Sequence, residues 1–305
     1  MKKLILIVLG ITLSVFAFSA QKSEIKLNLT AGKTYKLQQK SDQTITQSIM
    51  GNEMNIHNEM SSVMAVKVIQ ASNGIYQLEI TTEKMSIKMT TPMSVMEFDS
   101  QKPVEDNPFS KSLSQFVGKS YKAKINKSGQ ILEIKGMTDI MNNVINSFTN
   151  LDANTKAQLN QQLSQMFGDD ALKEALKSAF TIYPQIPVAI GDSWNTKSNL
   201  AGLPIIIDNT WTLAANTPTG TTITSKSTIL PKGDNIKIMG FSAKYNVTGT
   251  MVSSLNLDPK SGWTKEGKST INMSGKLMVE ANDQLPQGIE IPLSLKSETT
   301  ISAVE

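Results

Sequence analysis

Apolar and polar residues alternate with a period of two along most of residues 25–96, which predicts long β-strands. Thr34–Met50 is one such strand, Gly51-Asn52 a tight turn, and Glu53–Gln70 the returning strand. Six apolar side chains of the returning strand share one face: Met54, Ile56, Met60, Met64, Val66 and Val68. Strands this much longer than the usual length of about 5–6 residues indicate a strongly curved antiparallel sheet.

A third strand is predicted from Ile75 to Met89. Its apolar phase moves from the even positions Tyr76, Leu78 and Ile80 to the odd positions Met85, Ile87 and Met89. One extra residue in a strand reverses the alternation, so the sequence predicts a β-bulge near Thr82 or Glu83.

Helical spacing replaces this alternation in the middle of the chain. Asp152 is the expected N-cap of a second helix that Gly168 ends, and Asp169-Asp170 place negative charge at the start of a third. The first helix is predicted from a stripe of apolar residues: Met137, Ile140, Met141, Val144, Ile145 and Phe148.

The strand pattern returns from Trp194 onward. Each β region contains a Lys-Ser-Gly turn, at residues 127–129 and 260–262, which favours a duplicated β unit. The alternative is that such turns recur by chance. The strands predicted in the second region lie near residues 204–215, 220–230, 240–257, 263–280 and 288–303.

These patterns predict an α+β protein in which a large, curved antiparallel β-sheet, with one or two related β lobes, packs on a central helical block. We expect residues 21–305 to form one compact domain. The expected units are a signal peptide (1–20), a first β-rich unit (21–136), a helical block (137–186) and a second β-rich unit (187–305).

Residues 1–20 have the three regions of a cleavable signal peptide. Lys2-Lys3 is followed by the apolar run Leu4–Phe16, and small residues allow cleavage after Ser19 or Ala20. The run is too short to span a bilayer. We therefore expect an exported protein, periplasmic or extracellular, with no transmembrane segment in the mature chain. The chain contains no cysteine to carry a lipid anchor.

Composition excludes several kinds of chemistry. The absence of cysteine removes disulfides, cysteine nucleophiles and cysteine metal sites. All the basic residues are lysine, and a chain without arginine is a poor candidate for reading nucleic acids or for phosphoryl transfer. The net charge of +4 includes two signal-peptide lysines, so the mature chain is near 4 − 2 = +2. We expect no nucleic-acid partner; a protein partner cannot be inferred.

No catalytic constellation is recognisable, and we expect a non-enzymatic protein without cofactor or metal. Gly191-Asp192-Ser193 copies the nucleophile block of the G-D-S hydrolases, but those enzymes need a histidine base. The one histidine, His57, lies far upstream on the polar face of its strand. A solvated His57 is the simplest interpretation, with a general base or single metal ligand as alternatives. A two-carboxylate hydrolase stays open, because it has no signature spacing.

Methionine is the one unusual residue class, with half of the 16 methionines between Met50 and Met96. Flexible, polarizable thioether side chains suit a pocket for apolar ligands of varied shape. Ordinary core packing is the alternative. The candidate ligand-lining residues are Met54, Met60, Met64, Met85, Met89, Met137, Met141, Val144 and Phe148.

Three blocks resemble those of a family of secreted bacterial proteins of unknown function. They are the N-L-x-x-G-K-T-Y start (Asn28–Tyr35), the I-P-V-x-x-G-D-S-W block (Ile186–Trp194) and the D-P-K-S-G turn (Asp258–Gly262). That family has no assigned activity, so the resemblance implies no site residues. The predicted long strands with a helical insert are also similar in outline to periplasmic lipoprotein and lipid carriers, in which a sheet and a helical lid enclose an apolar cavity.

The leading hypothesis is an exported protein that binds an apolar or amphiphilic ligand between the methionine-rich sheet face and the Met137–Phe148 stripe. The alternatives are an envelope scaffold without a small ligand and a carboxylate-dependent hydrolase. The lining of a pocket distinguishes the three, because it would be apolar, absent or acidic respectively.

Overall fold

Thirteen strands of the described chain form one antiparallel β-sheet in this computed structural model. The residues described are 21–49, 51–102, 110, 113–146, 148, 152–199, 204–233, 235–238, 241–282 and 285–305. The predicted signal peptide therefore lies outside them. The strands are β1 (Thr34–Ile49), β2 (Asn52–Ser72), β3 (Ile75–Thr90), β4 (Val95–Asp99), β5 (Ser120–Asn126), β6 (Ile131–Lys135), β7 (Ser193–Asn199), β8 (Ile205–Thr217), β9 (Gly220–Pro231), β10 (Asn235–Ile238), β11 (Phe241–Leu257), β12 (Thr264–Val279) and β13 (Ile289–Val304).

The order of strands across the sheet is β6-β5-β3-β2-β1-β13-β12-β11-β9-β8-β7, with β4 added to β3 and β10 to β11. The first and last strands of the chain, β1 and β13, pair from Lys36 opposite Val304 to Gln47 opposite Leu293. This pairing joins the two β regions of the sequence into one continuous sheet.

Three helices connect β6 to β7 in the described chain: α1 (Met137–Asn146), α2 (Ala153–Phe167) and α3 (Asp169–Phe180). Asp152 caps α2 as predicted, because its Oδ1 accepts hydrogen bonds from the N–H groups of Asn154 and Thr155. Asp169 has a second role that the sequence did not indicate. Its Oδ1 accepts from the Met137 N–H at 2.9 Å, so it also caps α1.

The predicted α+β architecture with a central helical block is wrong, and so is the division into two β lobes. The fold is mostly β, and the helices are only 10, 15 and 12 residues long. The third helix packs on β6 and β7, which are the two end strands of the sheet order. Helical periodicity revealed that helices exist, but it carries no information about which element they cover.

The main core cluster shows why a central helical block is unnecessary. It combines Leu78 of β3 with Leu213 of β8 and Leu257 of β11, strands from the two halves of the sheet. The sheet therefore curls until its two halves share one core, which Phe180 of α3 joins. Trp263 lies in this cluster, and the centroid of its ring is 5.2 Å from that of Tyr35 and 6.0 Å from that of Phe180.

The predicted bulge in β3 is confirmed. The pairing of β2 with β3 shifts register where Val63 faces Lys84 and Met64 faces Thr82, so Glu83 is the extra residue. The long strands are also present, with 16 residues in β1, 21 in β2 and 16 in β3.

Both Lys-Ser-Gly turns bind the extended segment that precedes β1. The Leu27 N–H donates to the Lys127 carbonyl and the Asn28 N–H to the Ser261 carbonyl, each at 2.8 Å. Gly129 and Gly262 have φ angles of 78° and 68°, and a Cβ on either would collide with a backbone carbonyl of a neighbouring segment. The two turns are alike in structure, while the duplication itself stays a prediction.

Candidate functional site

One face of the curved sheet carries no charged side chain at its paired positions. Residues directly opposite one another on neighbouring strands, and every second residue along a strand, share a face. We call the face that carries Val66, Leu78 and Leu257 of the main core cluster the inner face. The bulge residues Glu83 and Lys265 have no directly opposite partner. Apart from these two, no inner-face position of β1–β9 or β11–β13 within the described residues holds Lys, Asp or Glu.

Charged residues lie instead on the opposite, outer face, where they form cross-strand ion pairs. Lys268 Nζ lies 2.9 Å from Glu298 Oε2, and Lys88 Nζ lies 3.2 Å from Glu97 Oε1. This segregation gives the sheet a solvated outer surface and an inner surface made of apolar and neutral polar side chains.

The five methionines predicted from β2 and β3 all lie on the inner face, beyond the main core cluster. We call this part of the sheet the methionine wall. None of its members is fully buried, and Met60 is 42% exposed. Met64 lies at the boundary, because it packs against the main core cluster. The wall consists of Ile45, Met54, Ile56, Met60, Met64, Met85, Ile87 and Met89.

The four predicted residues of the helical stripe have different environments. Met141 and Val144 are buried, with 0% and 3% of their surface exposed. Met137 packs against the main core cluster, and Phe148 is partly buried. Four cavities lined by described residues contain no residue of this stripe. A ligand-lining role of the stripe stays a prediction.

A second apolar cluster lies on the inner face of β8, β9, β11 and β12. Its buried members are Ile205, Ile207, Ile229, Val247 and Met273. Leu295 of β13 packs against it and lies opposite Ile45 of the methionine wall. The apolar surface therefore continues across the centre of the sheet from the second cluster to the wall.

Five hydroxyl side chains form a row across the inner face, between the main core cluster and the second cluster. Each lies directly opposite the next on five adjacent strands, β1, β13, β12, β11 and β9. Met60 precedes the row on β2 and Trp211 follows it on β8. We call this set the hydroxyl row: Ser41, Thr299, Ser269, Ser253 and Ser225.

The hydrogen bonds within the hydroxyl row leave one member unpaired. Ser253 Oγ donates to Ser269 Oγ at 3.0 Å, and Thr299 Oγ1 donates to Ser41 Oγ at 3.2 Å. Ser225 is 2% exposed, and its Oγ has no hydrogen-bond partner. In the next row, the buried Oδ1 of Asn58 also lacks a partner. Buried polar atoms without partners are uncommon in folded proteins, so both need an explanation.

One cavity has a volume of about 760 Å³ and a charged lining. Of the predicted ligand-lining residues, Met60 alone lines this cavity. Asp42 and Glu59 lie directly opposite each other on its wall. The remaining ionisable residues of the lining are Lys40, Lys88, Glu97, Asp99, Lys102 and Glu298.

The single histidine lies beside these carboxylates on the outer face. His57 Nδ1 is 3.6 Å from Asp42 Oδ1 and 3.5 Å from Thr44 Oγ1. Ligand atoms of Asp42, His57 and Glu59 lie within 4.8 Å of one another, so these residues could hold a metal ion. Asp42 and Glu59 are exposed and His57 is half-buried. Solvated surface groups that bind no metal ion have the same degree of exposure.

The G-D-S block forms a turn and the start of a strand, as the sequence analysis favoured. Asp192 Oδ2 accepts a hydrogen bond from the Ala189 N–H at 2.9 Å. Ser193 Oγ lies 2.8 Å from Thr212 Oγ1 on β8. Trp194 packs against the main core cluster and donates from Nε1 to the Ile182 carbonyl at 3.0 Å. These groups are engaged in local structure.

Neither the hydroxyl row nor the segregation of charge to the outer face could be predicted from the sequence alone. Hydroxyl residues at alternate positions, such as Ser297 and Thr299 on β13, were visible in the sequence. Their alignment with Ser41 and Ser253 depends on strand register, which single strands do not reveal. None of the helices in the described part of the chain has the length and hydropathy needed to cross a membrane.

A family described as a family of unknown function (DUF6263) matches the chain over residues 73–264. No curated protein matches it. Among solved structures, one titled "Lipid-protein interactions in lipovitellin" has 9% identity and a TM-score of 0.49, covering 91% of this chain. The chain spans about a quarter (26%) of that lipovitellin chain.

Outer-membrane proteins are also among the similar structures. A channel from Pseudomonas putida F1 has 6% identity and a TM-score of 0.23, covering 91% of this chain and 97% of the channel. The translocator domain of the autotransporter NalP from Neisseria meningitidis has 7% identity and a TM-score of 0.24, covering 90% and 89% respectively. At these scores the likenesses do not establish a shared fold.

Proposed function

The chain belongs to this family of unknown function, and we propose that it is a non-enzymatic protein of the cell envelope that binds an apolar or amphiphilic ligand on the inner face of its sheet. The location rests on the predicted signal peptide. The binding rests on one observation, the partly exposed methionine wall on a face without charged side chains at its paired positions.

Apolar side chains on the core face of a sheet are normally covered by another layer of the protein, because burial of apolar surface stabilises the fold. Those of the methionine wall keep part of their surface in water although the same face is fully buried at Val66 and Val68. Covering this surface with a hydrocarbon ligand would gain about 25 cal/mol per Å² of apolar area removed from water. Methionine side chains adapt to ligands of different shape.

Native mass spectrometry of the protein purified from its own host envelope tests this function, together with analysis of an organic extract. We expect a stoichiometric apolar or amphiphilic passenger. A ligand-free mass from gentle preparations would contradict the proposal and favour a scaffold without a small ligand.

A pair of lysine substitutions on β1 locates the binding surface. Ile45→Lys places a charge on the inner face, whereas Thr44→Lys places the same charge on the outer face one residue away. We expect Ile45→Lys to lose the passenger and Thr44→Lys to keep it, because a charge in an apolar contact is strongly disfavoured. Equal passenger content in both variants would rule out the inner face.

A carboxylate-dependent hydrolase is the second candidate, favoured by Asp42 and Glu59 on the wall of the charged cavity. Neighbouring Glu97 and Glu298 are exposed and ion-paired with lysines, which differs from the desolvated setting of a catalytic carboxyl pair. Turnover of 4-nitrophenyl esters or glycosides that disappears in Asp42→Asn would establish this candidate. We expect no turnover.

A further inference from the structure

The hydroxyl row is a polar strip set into an otherwise apolar face. We propose that it binds the polar part of an uncharged lipid of the acylglycerol type, whose chains lie along the methionine wall. This inference rests on the proposed function and specifies the ligand class of the same face.

The chemistry of the row fits ester and hydroxyl groups. Each serine or threonine hydroxyl offers one donor and two acceptor lone pairs, so the row can donate to ester carbonyls and accept from alcohol groups. With strands about 4.8 Å apart, five hydroxyls extend over about 19 Å.

The unpaired atoms provide a second, independent observation. Ser225 Oγ and Asn58 Oδ1 are buried inner-face atoms without hydrogen-bond partners. Ser225 lies at the β9 end of the hydroxyl row, and Asn58 in the adjacent row on β2. A buried polar atom without a partner destabilises the fold. Polar groups of a ligand lying along the row would satisfy such atoms.

The absence of charge restricts the ligand class. A phosphate or carboxylate on the inner face would lose its hydration and find no lysine within the described inner-face positions. The lysines of these strands, such as Lys40, Lys268 and Lys296, lie on the outer face. A neutral polar group avoids this cost.

The two surfaces meet on neighbouring strands. Ser41, the β1 member of the row, lies directly opposite Met60 of the methionine wall. Met60 is 42% exposed, so solvent reaches the junction on the side of the methionine wall, whereas Ser41 is buried. One amphiphile can therefore contact both surfaces without crossing a charged position.

A pair of lipids that differ only in charge tests the ligand class. The fluorescent reporter N-phenyl-1-naphthylamine is bound to the purified full-length mature protein and displaced with dioctanoylglycerol or with dioctanoyl phosphatidate. We expect dioctanoylglycerol to displace the reporter at a concentration at least tenfold lower. Equal displacement by the two lipids would overturn this inference alone. Failure of both the reporter and the lipids to bind would overturn the proposed function as well.

Serine-to-alanine variants test the row itself. We expect Ser225→Ala and Ser253→Ala each to reduce the preference for dioctanoylglycerol over the reporter about three- to tenfold, through the loss of one hydrogen bond. The matched control is Ser254→Ala, which removes a hydroxyl from the exposed outer face of the same strand as Ser253. A preference that is unchanged in Ser225→Ala and Ser253→Ala would contradict the assignment.

The stability of the ligand-free protein separates a ligand role from a structural one. Removal of an unpaired buried hydroxyl should raise the melting temperature, so we expect about 2 °C for Ser225→Ala. If Ser225 were a structural residue bonded to an ordered water, the same variant would melt at a lower temperature. That result would overturn the inference.

Discussion

Strand β2 carries mostly apolar side chains on its inner face, but its two halves have different environments. Val66 and Val68 are completely buried in the main core cluster, whereas Met60 is 42% exposed. Both halves obey the same alternation, so the difference comes from what lies across the sheet. Where the sheet curls onto itself the side chains are covered, and along the methionine wall they are only partly covered. The half with Val66 stabilises the fold, and the half with Met60 is available for binding.

The largest expected effect comes from placing a lysine in each half of β2. Val66→Lys puts a charge into the main core cluster and should cost about 5 kcal/mol or more, enough to prevent folding. Met60→Lys should fold with a stability within about 1 kcal/mol of the wild type, because the long side chain can reach water. Circular dichroism and urea unfolding measure both variants. Similar losses of stability in Val66→Lys and Met60→Lys would abolish the distinction between the two halves of β2.

Alanine substitutions make the same comparison without charge. Trp263→Ala removes a ring that packs on Tyr35 and Phe180 and should cost about 3–5 kcal/mol. Met60→Ala should cost less than about 1 kcal/mol, since much of the side chain is already in water. The midpoints of urea unfolding at constant m-value give both numbers. A costly Met60→Ala would mean that the methionine wall is part of the folded core.

The methionine wall should matter more for binding than for stability. The triple variant Met54→Ala, Met60→Ala and Met89→Ala should bind N-phenyl-1-naphthylamine at least tenfold more weakly. A tenfold loss corresponds to about 1.4 kcal/mol, less than the burial of two methylene groups. The control is Met93→Ala, a methionine that is 84% exposed in the turn after β3. Equal affinities in the triple variant and the control would exclude the wall as the binding surface.

The smallest expected effect is a pH dependence of stability that comes from Asp258, in the turn between β11 and β12. Burial pushes the pKa of Asp258 up, but hydrogen bonds from the Ser261 hydroxyl and from the N–H groups of Ser261 and Lys260 outweigh it and lower the pKa. A lowered pKa contributes stability that is present above the unfolded-state pKa of about 3.9 and is lost as the pH falls through the folded-state value. Stability should therefore decline below about pH 4.

The variant Asp258→Asn isolates this contribution. Urea unfolding between pH 2 and pH 7 should show a shallower acid decline in the variant than in the wild type. The methionine wall has no titratable side chain, so Met60→Ala should keep the wild-type pH profile. An acid decline of the same size in Asp258→Asn would show that other carboxylates carry the effect.

Local patterns were sufficient for most of the secondary structure. The first three strands, the bulge at Glu83 and the cap at Asp152 all follow from alternation and turn chemistry within a few residues. The five methionines on β2 and β3 were placed on one face for the same reason. These features depend on contacts between residues that are near in sequence, so the amino-acid sequence is sufficient to predict them.

The arrangement of these elements was not predictable in the same way. The helical stripe of Met141 and Val144 was expected to face a ligand, but both side chains are buried in packing. A stripe reveals that a face is apolar, not what covers it. The hydroxyl row needs five strand registers at once, including the pairing of Ser41 with Thr299, 258 residues away.

The sequence by itself determined the strands, the helices, their apolar faces and the lack of cysteine and arginine chemistry, because propensity, periodicity and composition act locally. Tertiary structure alone decided that the sheet is single and curls onto itself, which apolar residues are buried, and which neutral hydroxyls align. Those properties arise when strands distant in the chain pair, and pairing is fixed by the simultaneous packing of both halves of the sheet.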